Sequence, residues 1–308
     1  MTGRRLRRPI VETVVALAAT AVLSGCGRSV ESPAGLLVTS GGSLFRLDDA
    51  GALQPVDKAP GDVRHLAAAG RSLVVLTDAG QILTAPSNGS SSADDLAWRP
   101  LNVAMPDAGF TTGIDVSPDG GSVAIVRGHD DADRLELVVV DLATGAARTR
   151  SLDVAANGPP SWLTSDEIAL EVVGDDGSAE VVGVGVGGDG DGTAQPDESR
   201  SRGFALAATA DGQTIALADD DAAGVVVGDR RSWWAGRPGE SEVDPPAVDK
   251  AVQDVAIDAD GTRLAVVYAE GDSDAWTLVV DRLRDGRWET VVSTQLDSAI
   301  PPSIDWLE

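Results

Sequence analysis

Apolar residues gather along this chain in short, often β-branched runs that meet in pairs across a small polar turn. Three segments show the layout most clearly: Ile114 to Ile125 around Asp119-Gly120, Leu206 to Leu217 around Asp211-Gly212, and Val255 to Val266 around Asp260-Gly261. Trp162 to Leu170 and Leu66 to Leu76 are degenerate copies. An Asp-Gly pair between two apolar runs predicts a β-hairpin, because Gly accepts the positive φ that a tight reversal demands and Asp bonds back to its own backbone. With the turn position at Ala69, Asp119, Asp166, Asp211 and Asp260, the copies recur at spacings of 50, 47, 45 and 49 residues. Each copy continues into a third apolar run, at Gln81 to Thr84, Leu135 to Leu142, Val181 to Val186, Val225 to Val227 and Thr277 to Leu283. A weaker fourth run follows in Ala146 to Leu152 and in Trp288 to Thr294. Four short strands per unit of this length are what a propeller blade requires, and no stretch keeps a helical period for long. The pattern predicts an all-β domain.

The ends of the chain predict how many blades there are. Leu36 to Phe45 aligns with Val74 to Leu83 at a fixed offset of 38, so the domain begins on the second strand of a unit. Pro301-Pro302-Ser303 and Trp306-Leu307 echo Pro159-Pro160-Ser161-Trp162-Leu163, which puts a first strand at the C-terminus. One composite blade built from both ends, added to five internal units, predicts a six-bladed β-propeller over residues 35–308. Such closure removes open sheet edges and staples the termini.

The first 34 residues follow another logic. Arg4, Arg5, Arg7 and Arg8 precede an apolar stretch, Val14 to Leu23, that is short for a membrane span. Leu23-Ser24-Gly25-Cys26 then resembles the lipobox of bacterial lipoproteins, and Cys26 is the single Cys of the chain. That resemblance implies a signal peptide over residues 1–25, acylation of Cys26, a small polar tether over 26–34, and residence on the outer side of the cytoplasmic membrane. Arg7-Arg8-Pro9-Ile10-Val11 also has a twin-arginine look, with Sec export as the default. Ser117-Pro118-Asp119-Gly120 followed by Val-Ala-Ile resembles the repeat of TolB-type and WD40-like propellers. Together with the lipobox, it makes the chain similar to the propeller lipoproteins of high-GC bacteria. Only one unit has the full Ser-Pro-Asp-Gly form, and the Trp-Asp and Gly-His signatures of eukaryotic WD40 repeats are absent. The resemblance implies a binding or scaffolding role and carries over no catalytic residue.

Charge narrows the partners. With 24 Lys+Arg against 49 Asp+Glu the formal charge is -25, which excludes a nucleic-acid binder working through a basic face. Loss of the leader, with four Arg and one Glu, would make the remaining chain three charges more negative still. The acidic surface should favour cationic partners or ions, and the expected partners are the membrane through the lipid anchor and an envelope protein or a glycan.

Candidate chemistry is sparse. His65 and His129 are the two His, too few for a zinc site or a Ser-His-Asp triad to draw on. Carboxylates that meet in a central channel would suit a lactonase or glycosidase, but acids are so abundant that none is singled out. Gly187 to Gly192, His129 to Asp133 and Asp219 to Asp221 are acidic enough to raise Ca²⁺, as is Asp258-Ala-Asp260-Gly261, which looks like part of an EF-hand loop. Turns use the same residues, so no cofactor is expected. Trp233-Trp234 is the candidate binding feature, either a stacking platform for a sugar or an anchor for a partner, with core packing as the competing use. The resulting expectation is a lipid-anchored interaction or ligand-binding module without enzymatic activity, and the alternative is a propeller hydrolase or glycan binder.

Overall fold

The computed structural model describes residues 35–307 apart from 71, 87–95, 103–109, 130–131, 153–155, 174–178, 187–199, 203, 219–224, 230–240, 244–249 and 271–274. Contacts divide the chain into Met1–Val30, which lies outside the described residues, and Glu31–Glu308, to which everything below refers.

The described residues form six four-stranded antiparallel sheets. Five are consecutive meanders. The first holds β4 (Val63–Ala69), β5 (Ser72–Thr77), β6 (Ile82–Pro86) and β7 (Arg99–Pro100), and the second β8 (Phe110–Val116), β9 (Ser122–His129), β10 (Ala132–Asp141) and β11 (Ala147–Leu152). The third holds β12 (Ala156–Thr164), β13 (Glu167–Val173), β14 (Ala179–Gly185) and β15 (Arg200–Arg202), and the fourth β16 (Phe204–Ala208), β17 (Thr214–Ala218), β18 (Val225–Asp229) and β19 (Ser241–Val243). The fifth holds β20 (Lys250–Ile257), β21 (Arg263–Glu270), β22 (Ala275–Arg284) and β23 (Arg287–Asp297). The remaining sheet is composite: β24 (Ile304–Trp306) pairs with β1 (Leu36–Ser40), followed by β2 (Ser43–Leu47) and β3 (Leu53–Pro55). Its register sets Leu36 opposite Trp306 and Val38 opposite Ile304, and Leu307 N–H donates to the Gly35 carbonyl at 2.7 Å. The architecture is an all-β propeller.

The apolar runs read as continuous because both faces of each sheet are covered. Side chains alternate along a strand, so Leu36 and Val38 pack toward the β20–β23 sheet while Leu37 packs toward the β4–β7 sheet. On β9, Val123 and Ile125 meet the sheet before, and Ala124 and Val126 meet the sheet after. The core is accordingly a set of layers, each drawn from two successive sheets.

The repeated turn is held from within. Ser117 Oγ donates to Asp119 Oδ1 at 2.6 Å and accepts the Ser122 N–H at 2.9 Å, while Asp119 Oδ1 accepts the Gly121 N–H at 2.9 Å. Thr209 and Asp211 repeat the arrangement, with Thr209 Oγ1 donating to Asp211 at 2.7 Å. These bonds hold the Asp119 and Asp211 carboxyls below the usual carboxylate range.

Candidate functional site

One strand at the end of each sheet, β4, β8, β12, β16, β20 or β24, faces a common channel of about 400 Å³. Strands that converge on an axis leave little room, and Ala68, Ala69, Ala207, Ala208 and Ala256 supply a narrow wall. At Gly113 the next strand comes so close that a Cβ would sit 2.9 Å from Pro159 Cα.

The innermost strands present an open edge to the channel, and a buried N–H without a partner is costly. Carboxylates from neighbouring blades answer this. Asp115 Oδ2 accepts the Trp162 N–H across a blade junction at 2.6 Å, and Oδ1 accepts the Val116 N–H at 2.8 Å. Asp254 takes the Ile304 N–H at 2.9 Å and the Val255 N–H at 2.9 Å. Asp305 takes the Ala68 N–H at 2.6 Å and the Trp306 N–H at 2.8 Å. Glu171, on the second strand of its sheet, reaches past Gly158 to accept the Ala205 N–H at 3.4 Å. Two indoles reinforce the same junctions: Trp162 Nε1 donates to Asp115 O at 3.1 Å and Trp306 Nε1 to Ala256 O at 3.2 Å.

These carboxyls keep part of their surface toward the channel, but they lie deep enough that lost hydration dominates their titration. Burial pushes Asp115 and Asp254 up to about 7 against the pull of their backbone donors, with Asp254 also acting on Asp115. Asp305 is raised well above its ordinary value by burial and then by the charges of Asp115 and Asp254. Burial raises Glu171 as well. His65 lines the same channel; burial, with Arg64 adding to it, lowers its pKa to about 4, so its imidazole is neutral at pH 7. Its Nε2 has no hydrogen-bond partner among the described residues. No Lys or Arg belongs to the described lining. The channel can therefore exchange protons near neutral pH and offers a cation no competing positive charge.

The residues singled out by sequence fare differently. His65 is in the channel, but Cys26, Trp233, Trp234, Gly187 to Gly192 and Asp219 to Asp221 lie outside the described residues, as does the side chain of His129. Asp258 is a turn residue: it accepts the Thr262 and Arg263 N–H groups at 2.7 and 2.9 Å and pairs with Arg263 Nε at 2.7 Å. Among the described residues no group of three or more His, Cys, Asp or Glu is placed to hold a metal ion. Asp115, Asp254, Asp305 and Glu171 were not singled out. The available signal was an acid set between apolar residues in a unit's first strand, as in Ile114-Asp115-Val116 and Ile304-Asp305-Trp306.

No protein-family model matches the chain, and no curated protein matches it in sequence. Solved structures match in fold. A protein assigned as TolB from Agrobacterium tumefaciens superposes with a TM-score of 0.54 at 12% identity, over 88% of this chain and 92% of that one. A periplasmic gluconolactonase of Pseudomonas aeruginosa gives 0.47 at 16% identity, over 85% and 82% of the two chains. A protein assigned as a 6-phosphogluconolactonase from Bacteroides uniformis gives 0.49 at 11% identity, over 87% and 83%. The expectation of a chain without enzymatic activity is corrected here. Propellers named as a 6-phosphogluconolactonase and a gluconolactonase are among the fold neighbours.

Proposed function

We propose that this chain is a lipid-anchored envelope propeller of six blades that receives a cationic group, from a small ligand or the side chain of a partner protein, in its central channel. The observation that carries the reading is the channel itself: Asp115, Asp254 and Asp305, from three different sheets, face one cavity whose described lining holds no Lys or Arg. Titrating the protein with agmatine should give saturable heat at pH 7.5 that neutral and anionic compounds of similar size do not, and Asp254→Asn should weaken it at least about tenfold. Saturation by all three compounds alike, or by none, rejects the reading.

The anchor rests on Leu23-Ser24-Gly25-Cys26. After cleavage before Cys26, acyl chains on its sulfur and amine would hold the protein to the outer face of the cytoplasmic membrane, each buried methylene contributing about 0.8 kcal/mol. Cys26→Ser should abolish labelling by an alkyne fatty acid and move the protein out of the membrane fraction.

A hydrolase is the second reading, favoured by Asp115 and Asp254 being pushed up to about 7, where a carboxyl can act as general acid or base. Its test is turnover of a lactone and glycoside panel that Asp115→Asn abolishes.

A further inference from the structure

The strand that completes the composite sheet is three residues long and meets β1 in three register pairs, Leu36 with Trp306, Leu37 with Asp305 and Val38 with Ile304. At the ends of that pairing Leu307 N–H donates to Gly35 O at 2.7 Å and Thr39 N–H to Ser303 O at 2.8 Å, and further anchors lie on its two flanks. On one side Asp254, from the β20–β23 sheet, accepts the Ile304 N–H, and on the other Asp305 accepts the Ala68 N–H of the β4–β7 sheet. We propose that β24 is a latch on the ring whose grip is set by pH: Asp254 and Asp305 clasp it to both neighbours, and ionisation of the channel carboxyls slackens it.

The charges around the latch favour this. Asp254 and Asp305 share the channel with Asp115 from β8, Glu171 from β13 and His65 from β4. The His65 imidazole is neutral at pH 7 and supplies no counter-charge. Arg263, on β21, stacks 4.3 Å from the Trp306 ring, but its guanidinium pairs with Asp258. Each carboxyl that ionises therefore adds negative charge where water is scarce and another carboxyl is already titrating. The folded chain holds these protons to about pH 7 on Asp115 and Asp254, and well above the ordinary carboxylate range on Asp305, whereas an unfolded Asp releases its proton near 3.8. The folded state thus binds more protons than the unfolded one across that window. The stability contributed by the neutral carboxyls is full below it and is lost as the pH rises through it. Opening should begin at β24, which two of the three carboxyls touch directly.

The test uses the full chain in detergent, with thermal unfolding from pH 5.5 to 8 and hydrogen exchange corrected for intrinsic rates. Tm should fall by about 5 °C or more over that range. Protection of the Ile304 to Trp306 amides should drop at least about tenfold more than that of the β10 amides. Asp254→Asn with Asp305→Asn should remove most of both effects, whereas Asp57→Asn with Asp297→Asn, the same replacement at two exposed sites, should leave them. A flat or rising Tm in the wild type, or the same fall in the channel double variant, overturns the proposal. Should that double variant fail to fold, Asp115→Asn keeps both clasps and removes one neighbouring charge. It should let the remaining carboxyls ionise more readily, so that the loss becomes smaller and its midpoint moves to lower pH, and an unchanged loss with an unmoved midpoint overturns the proposal equally.

Discussion

At Gly212 one hydrogen does the work of a side chain. The residue sits at φ 65, and a Cβ there would run into the carbonyl of Leu163 on the preceding sheet, so both the turn and the blade contact need the atom to be missing. Gly145 has a similar φ of 72 but nothing within 4 Å of a Cβ. Urea denaturation should therefore find Gly212→Ala destabilising by about 2–4 kcal/mol and Gly145→Ala by about 1 kcal/mol, the second value being backbone strain alone. Equal losses would mean that the contact with Leu163 contributes nothing. The channel carboxyls belong to the same scale: each accepts a single backbone N–H of the next blade.

Among the elements, β24 has the most to do for its length. Trp306 is 2% exposed, packs into the layer between the composite and β20–β23 sheets, and donates its indole N–H to Ala256. Trp306→Ala should cost about 3–5 kcal/mol in equilibrium unfolding, and Trp306→Phe, which keeps most of the packing and loses the donor, about 1–2 kcal/mol. A pair of equal values would show that the packing of the ring contributes nothing beyond the hydrogen bond. The three-strand runs and their Asp-Gly turns were legible because strands buried on both faces leave unbroken apolar stretches between residues of positive φ. The pairing of Leu36 to Phe45 with a strand at Trp306 was legible too, since the offset of 38 exposes a missing first strand. Fourth strands such as β7, with two residues, and β15 and β19, with three, carry too little pattern to find. The channel acids escaped notice for a different reason. In a chain with 49 Asp and Glu, only the course of the strand distinguishes Asp115 from a solvated acid such as Asp57.

For the whole molecule the acids act with opposite signs in two places. Those of the turns, among them Asp119 and Asp211, are held below their ordinary range by local hydrogen bonds, so their contribution is present above that range and is lost as the pH falls through it. Those of the channel lose theirs as the pH rises. Thermal unfolding across the full pH range should therefore place the stability maximum on the acid side of neutrality, where an unfolded Asp titrates, at about pH 4. A maximum at pH 8 would contradict this division of labour, and added salt should flatten the exposed contribution more than the channel one.

The hydrogen bond between Leu307 and Gly35 brings the two extremities of the described domain together. A circular permutant that joins those extremities through a short flexible insert and reopens at the exposed Thr144-Gly145 hairpin would keep every strand neighbour while breaking the chain elsewhere. A reporter fused after Leu307 would start from the point at which Gly35 enters the domain. Under the anchored reading it would be crowded against the bilayer, whereas one inserted at Gly145 would start from a different blade.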